Sequence, residues 1–128
     1  MTERASVDRA RIDSVCRGDD SLAIELIGML VDEAGPMLAV LSEHVQSYNV
    51  TQTNEVAHAL KGIAGNVGAF DLRDAAARLE TVSAPKQTPA SHTLDREMSA
   101  VSRALERVRI TQRLWQLRAA RKAGIFPA

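Results

Sequence analysis

Between Asp20 and Tyr48, apolar side chains return every third or fourth residue: Ile27, Leu30, Ala34, Met37, Leu38, Leu41, Val45 and Tyr48. A repeat near 3.6 lays them on one stripe of an α-helix, and so long a stripe has to be buried against other helices. Pro36 falls inside the run, but the register passes unshifted across it, so the spacing predicts a kinked helix rather than a break. A β-sandwich would need alternating β-branched and aromatic runs, whereas aromatics make up only 3% of the chain.

The remaining segments follow the same period. A short first helix is expected over Ser6 to Cys16, with Val7, Ile12 and Val15 as its apolar positions. "RGDD" ends it, and Asp19 or Asp20 caps the long helix that follows. Thr51 or Thr53 is expected to cap a third helix running to about Val67. Gly68 and Asp71 then close that helix and cap a fourth, Leu72 to about Val82, whose inner face is Leu72, Ala75, Ala76 and Leu79. "SAPKQTPAS" is a loop. A last helix starts near Ser91 or Thr93 with the stripe Leu94, Met98, Val101, Leu105 and Val108. Beyond it the pattern divides: Trp115 stays on the old face, while Ile110, Leu114 and Leu117 lie on another. The expected fold is all-α, an antiparallel four-helix bundle with a short extra N-terminal helix and a C-terminal helical extension. One domain is expected over residues 1–128, with a core at about 8–108 and a basic extension at 109–128.

The formal charge is zero, but it is unevenly spread. From Val101 onward, Arg103, Arg107, Arg109, Arg113, Arg118, Arg121 and Lys122 face a single acid, Glu106. No aromatic platform or recognition-helix pattern accompanies these cations, so a solvated helix face is expected and nucleic acid is not. The lone Cys16 excludes an internal disulfide. No apolar run approaches the length of a membrane-spanning helix, and "MTERASVDRARID" lacks the apolar core of a signal peptide. A cytoplasmic chain without membrane contact is expected.

The chemistry concentrates in "AHALKGIAGNVGA", Ala57 to Ala69, where glycines stand at 62, 65 and 68. A glycine inside a helix costs about 1 kcal/mol against alanine. At 100° per residue, Val56, Leu60, Ile63, Ala64 and Val67 cluster on one side, expected to face the core. His58, Lys61, Gly62 and Gly65 fall on the opposite side, so an exposed imidazole is expected beside a cation and bare backbone. Such a face lets another macromolecule reach the ring. Other chemistries fit less well. No strand precedes "GIAGNVG" and no GK[ST] ends it, so it is not a phosphate-cradling loop. His44 and His92 lie on other elements and Cys16 is distant, so no metal site is expected. No strained nucleophile turn is present.

The segment Ala57 to Glu80 resembles the histidine-containing phosphotransfer (HPt) domains of multistep two-component phosphorelays. The residues that carry the resemblance are His58, Leu60, Lys61, Gly62, Gly68, Ala69, Leu72, Leu79 and Glu80. It implies a carrier that is not itself an enzyme. His58 would accept a phosphoryl group from the phosphoaspartate of a response-regulator receiver domain and relay it to a second receiver. Lys61 would stabilise the added charge, and Glu80 would hydrogen-bond Nδ1. Gly62 and Gly65 would leave room for the partner, with Ala57, Ala59, Glu55 and Asn66 flanking the docking surface. No cofactor is implied in this chain, because Mg²⁺ belongs to the receiver. The carrier would be free-standing or a module of a hybrid sensor histidine kinase. Ile63 and Ala64 depart from the small polar residues many relatives place after Lys-Gly. The alternative is a non-phosphorylated helical module that docks receivers or other regulators through the same face.

Overall fold

The computed structural model describes residues 6–124, and within them every regular element is a helix. The order is α1 (Arg9–Cys16), α2 (Asp20–Gln46), α3 (Val50–Asn66), α4 (Phe70–Val82) and α5 (Ser91–Lys122). The last four residues of the basic extension, 125–128, lie outside the described residues.

Local chemistry sets most of the boundaries. Asp8 caps α1 by accepting from the amides of Ala10 and Arg11, so that helix starts later than Ser6. Asp19 caps α2 through the amide of Leu22 at 3.0 Å. Pro36 lies inside α2, which runs unbroken across it. The expected extension of α2 to Tyr48 is not made. Tyr48 sits in the turn at φ 55°, and its hydroxyl donates to the Pro89 carbonyl at 2.5 Å, tying two connections together. Thr51 and Thr53 do not cap α3, which starts earlier, at Val50 after Asn49. Thr53 is instead buried, with its hydroxyl donating back to the Asn49 carbonyl at 2.8 Å. Likewise α4 begins at Phe70 after Ala69, which leaves Asp71 in the first turn, where its charge suits the helix dipole.

Gly68 makes the α3–α4 turn at φ 76°, and its carbonyl accepts from the Asp8 amide at 2.8 Å. A Cβ there would come within 2.8 Å of Arg11 Cγ, so α1 docks on the turn only because that side chain is missing.

The core is aliphatic, with Ile12, Ile27, Leu41, Leu60, Leu72, Leu79, Leu94 and Leu105 all fully buried. On α3 the buried stripe differs from the expected one. It runs through Thr53, Ala57, Leu60 and Ala64, while Val56, Ile63 and Val67 are only half-buried. α3 and α4 form the most extensive helix pairing. Both bury small residues, Ala57 and Ala64 on one and Ala75 and Ala76 on the other, which lets two helices approach closely. The smallest residues therefore turn to the nearest helix, and the larger β-branched ones fill the edges.

α5 stays helical through the extension. Trp115 is half-buried beneath the Arg9 guanidinium, 4.7 Å from its ring centre. Ser6 and Thr111 share a hydroxyl hydrogen bond of 2.6 Å. Lys122 reaches Asp20 at 3.0 Å, which sets α5 antiparallel to α2.

Candidate functional site

His58 stands on α3 with 68% of its side chain exposed. Its Nδ1 lies 2.5 Å from Oε2 of Glu80, on the antiparallel α4. The other oxygen of the same carboxylate, Oε1, accepts from Lys61 Nζ at 2.6 Å. One carboxylate thus bridges two side chains that are neighbours one helical turn apart. Asn54, a turn before His58, donates from Nδ2 to the Glu80 backbone carbonyl at 2.8 Å and fixes that part of α4.

The Glu80 carboxyl is held below its ordinary value. The Lys61 hydrogen bond is the largest cause and the His58 bond adds to it, while partial burial opposes both. At neutral pH it is therefore ionised and can only accept. In the neutral ring the hydrogen then sits on Nδ1, and Nε2 is left with a free lone pair facing solvent.

The glycines divide into two kinds. A Cβ at Gly62 would meet nothing within 4 Å, so the backbone beside the ring is open. At Gly65 it would lie 3.3 Å from Arg73 Cδ, so that space is taken up by the protein's own α4. Arg73 is in turn held by Asp74 at 3.0 Å and stacks over Phe70. The expectation that Gly65 clears room for a partner is corrected accordingly.

Ala57 is also corrected. It is fully buried on the α4-facing stripe and takes no part in any docking surface. Glu55, Ala59 and Asn66 are exposed. Lys61 is only 35% exposed, because its ammonium is drawn to Glu80. Beside the site, Pro36, Met37 and Val40 of α2 join Glu55, Val56 and Ala59 in lining an open apolar groove. The sequence pattern puts Met37 on the buried stripe and Pro36 at a kink and gives neither them nor Val40 a place beside the site, although Pro36 and Val40 are apolar residues four apart and off that stripe. Among the described residues no group of three or more His, Cys, Asp or Glu could hold a metal ion, and no helix is long and apolar enough to cross a membrane.

The family model described as Hpt domain matches residues 25–120, a span that includes His58, Lys61 and Glu80. No curated protein and no solved structure matches the chain.

Proposed function

This chain belongs to the Hpt domain family, whose role is phosphotransfer in phosphorelays, and we propose that it carries the phosphoryl group on Nε2 of His58, between two receiver domains. The observation that carries this reading is the exposed ring whose Nδ1 is held by an ionised carboxylate.

In the first step the Nε2 lone pair attacks the phosphorus of a receiver's aspartyl phosphate. The Nε2–P bond forms as the P–O bond to the aspartate breaks, and the carboxylate leaves with the electron pair. The ring keeps its Nδ1 hydrogen and gains positive charge, which Glu80 offsets through the bond it already makes. In the second step a carboxylate of another receiver attacks the phosphorus, and the Nε2–P electron pair returns to the ring. The phosphoryl group brings negative charge within one turn of Lys61, which can pass from Glu80 to the phosphoryl oxygens. Mg²⁺ is expected on the receiver, so this chain supplies the nucleophile and its orientation as a carrier. Cytoplasmic receivers approach across Gly62, with the apolar groove of Pro36, Met37, Val40, Glu55, Val56 and Ala59 as the adjoining contact.

The test is His58→Gln incubated with a radiolabelled phosphoreceiver. Loss of acid-labile, base-stable label with the helical spectrum intact is expected, and retained label refutes the assignment. Unchanged receiver affinity in a wild-type chain that never takes label would instead favour a docking module without phosphorylation.

A further inference from the structure

We propose that the α2/α5 side of the bundle is a self-association surface, on which α5 of one copy packs against α2 of a second copy. It lies apart from His58 and does not depend on the phosphotransfer reading.

Two ridges carry the inference. Ile110, Leu114 and Leu117 recur at helical spacing on α5, exposed, on the side opposite the buried Leu105 and Val108. Arg113 and Arg118 flank them, both exposed and in no ion pair among the described residues. On α2, Leu22 and Met29 are exposed, Met29 by 61%. Their flanking charges are Glu25 and Asp32, likewise exposed and unpaired among the described residues. One ridge is apolar and basic; the other is apolar and acidic.

Their relative position matters as much as their composition. Lys122 reaches Asp20, and Gln112 lies 3.1 Å from where a Cβ of Gly28 would be. These contacts run α2 and α5 antiparallel, with Met29 near the level of Leu114 and Glu25 near that of Arg118. A two-fold axis parallel to the bundle, between the two helices, lays α2 of the second copy over α5 of the first at the same level. It does the reverse on the other side. Met29 then meets Leu114, Glu25 meets Arg118 and Asp32 meets Arg113, each twice, as an isologous dimer requires. An anionic lipid surface or nucleic acid would attract the basic ridge but repel the acidic one beside it. Only a partner with both signs in this order matches both, and the chain itself is one.

The test is sedimentation equilibrium of the full chain over a dilution series reaching about 1 mM. A reversible monomer–dimer equilibrium is expected, weakening several-fold from low to high salt. Arg113→Glu/Arg118→Glu and Glu25→Arg/Asp32→Arg should each be monomeric where wild type is dimeric, with unchanged helical circular dichroism. Their equimolar mixture should dimerise again, because every reversed charge then meets its opposite. Leu114→Ser, which leaves the charges in place, should also lose the dimer. A wild-type monomer throughout the series, a dimer indifferent to the reversals, or a mixture that stays monomeric would each overturn the proposal. So would a monomer that binds anionic vesicles through Arg113 and Arg118, which would assign the basic ridge to lipid.

Discussion

Glu80→Ala separates the carboxylate's role from the helix that bears it. The wild-type Nδ1–H donates to a charged oxygen at 2.5 Å, a class of bond worth about 1.5–3 kcal/mol when shielded from water. Here the ring is 68% exposed and water competes for Nδ1, so the effective value falls to about 1 kcal/mol. The bond strengthens as the ring gains positive charge, by up to about 1 kcal/mol. At one decade of rate per 1.4 kcal/mol, its loss should slow acceptance of the phosphoryl group by His58 up to about fivefold. Glu80→Gln keeps a neutral acceptor for Nδ1–H and loses only the charge, so its loss should be smaller, about twofold. The assay is single-turnover transfer from a phosphorylated receiver, followed alongside the imidazole ¹⁵N shifts that report which nitrogen carries hydrogen. Wild-type rates in Glu80→Ala with the Nδ1 hydrogen retained would refute the orienting role. So would a Gln variant slower than the Ala variant.

The depressed Glu80 pKa fixes the sign of a pH effect. A carboxyl whose folded pKa lies below its unfolded value stabilises the fold above the unfolded value and loses that contribution as pH falls through the folded one. The stability advantage of wild type over Glu80→Gln in urea titrations should therefore hold at neutral pH and vanish below the ordinary carboxylate range; an advantage that grows with acid would refute the ion-pair description. At Gly62, where a Cβ meets nothing, Ala should raise helix stability by up to about 1 kcal/mol. It should also slow transfer by crowding the partner, and transfer at full rate would show that the open backbone is not used for docking. Ala57→Leu overfills the α3–α4 seam and should cost about 1–3 kcal/mol in urea unfolding; a neutral result would place position 57 at the surface after all. Gly68→Ala meets both a positive φ and Arg11, so a loss of at least about 1 kcal/mol is expected, only partly restored by Arg11→Ala.

The fold class was legible because periodicity alone separates bundle helices from strands, and the unshifted register across Pro36 correctly favoured a continuous α2. Caps were less legible. Asp19 acts through its side chain as expected, but α3 and α4 begin after Asn49 and Ala69 without any side-chain cap, so Thr51, Thr53 and Asp71 were false signals. Those starts are set by the turns at Tyr48 and Gly68, whose positive φ values depend on what the chain packs against.

The site shows the same division more sharply. A helical wheel ranks faces by the hydrophobicity of one helix, and that sufficed to put His58 in solvent beside an open Gly62. It could not weigh the neighbour. α4 approaches closely enough to bury Ala57 and to cover Gly65 with Arg73, so one small residue next to the histidine became core and one exposed glycine became a contact. The Glu80 bridge lies 22 residues from His58 along the chain. No local spacing predicts it, and only the family resemblance pointed there. Glu80 also binds Lys61, which neither the wheel nor the resemblance implied. A lysine already paired with a carboxylate is held beside His58 with its charge offset until a stronger anion competes for it. On the proposed reading, the phosphoryl group is that anion. The same carboxylate would then orient the empty ring and, as Lys61 leaves, turn wholly to the positive charge the loaded ring acquires.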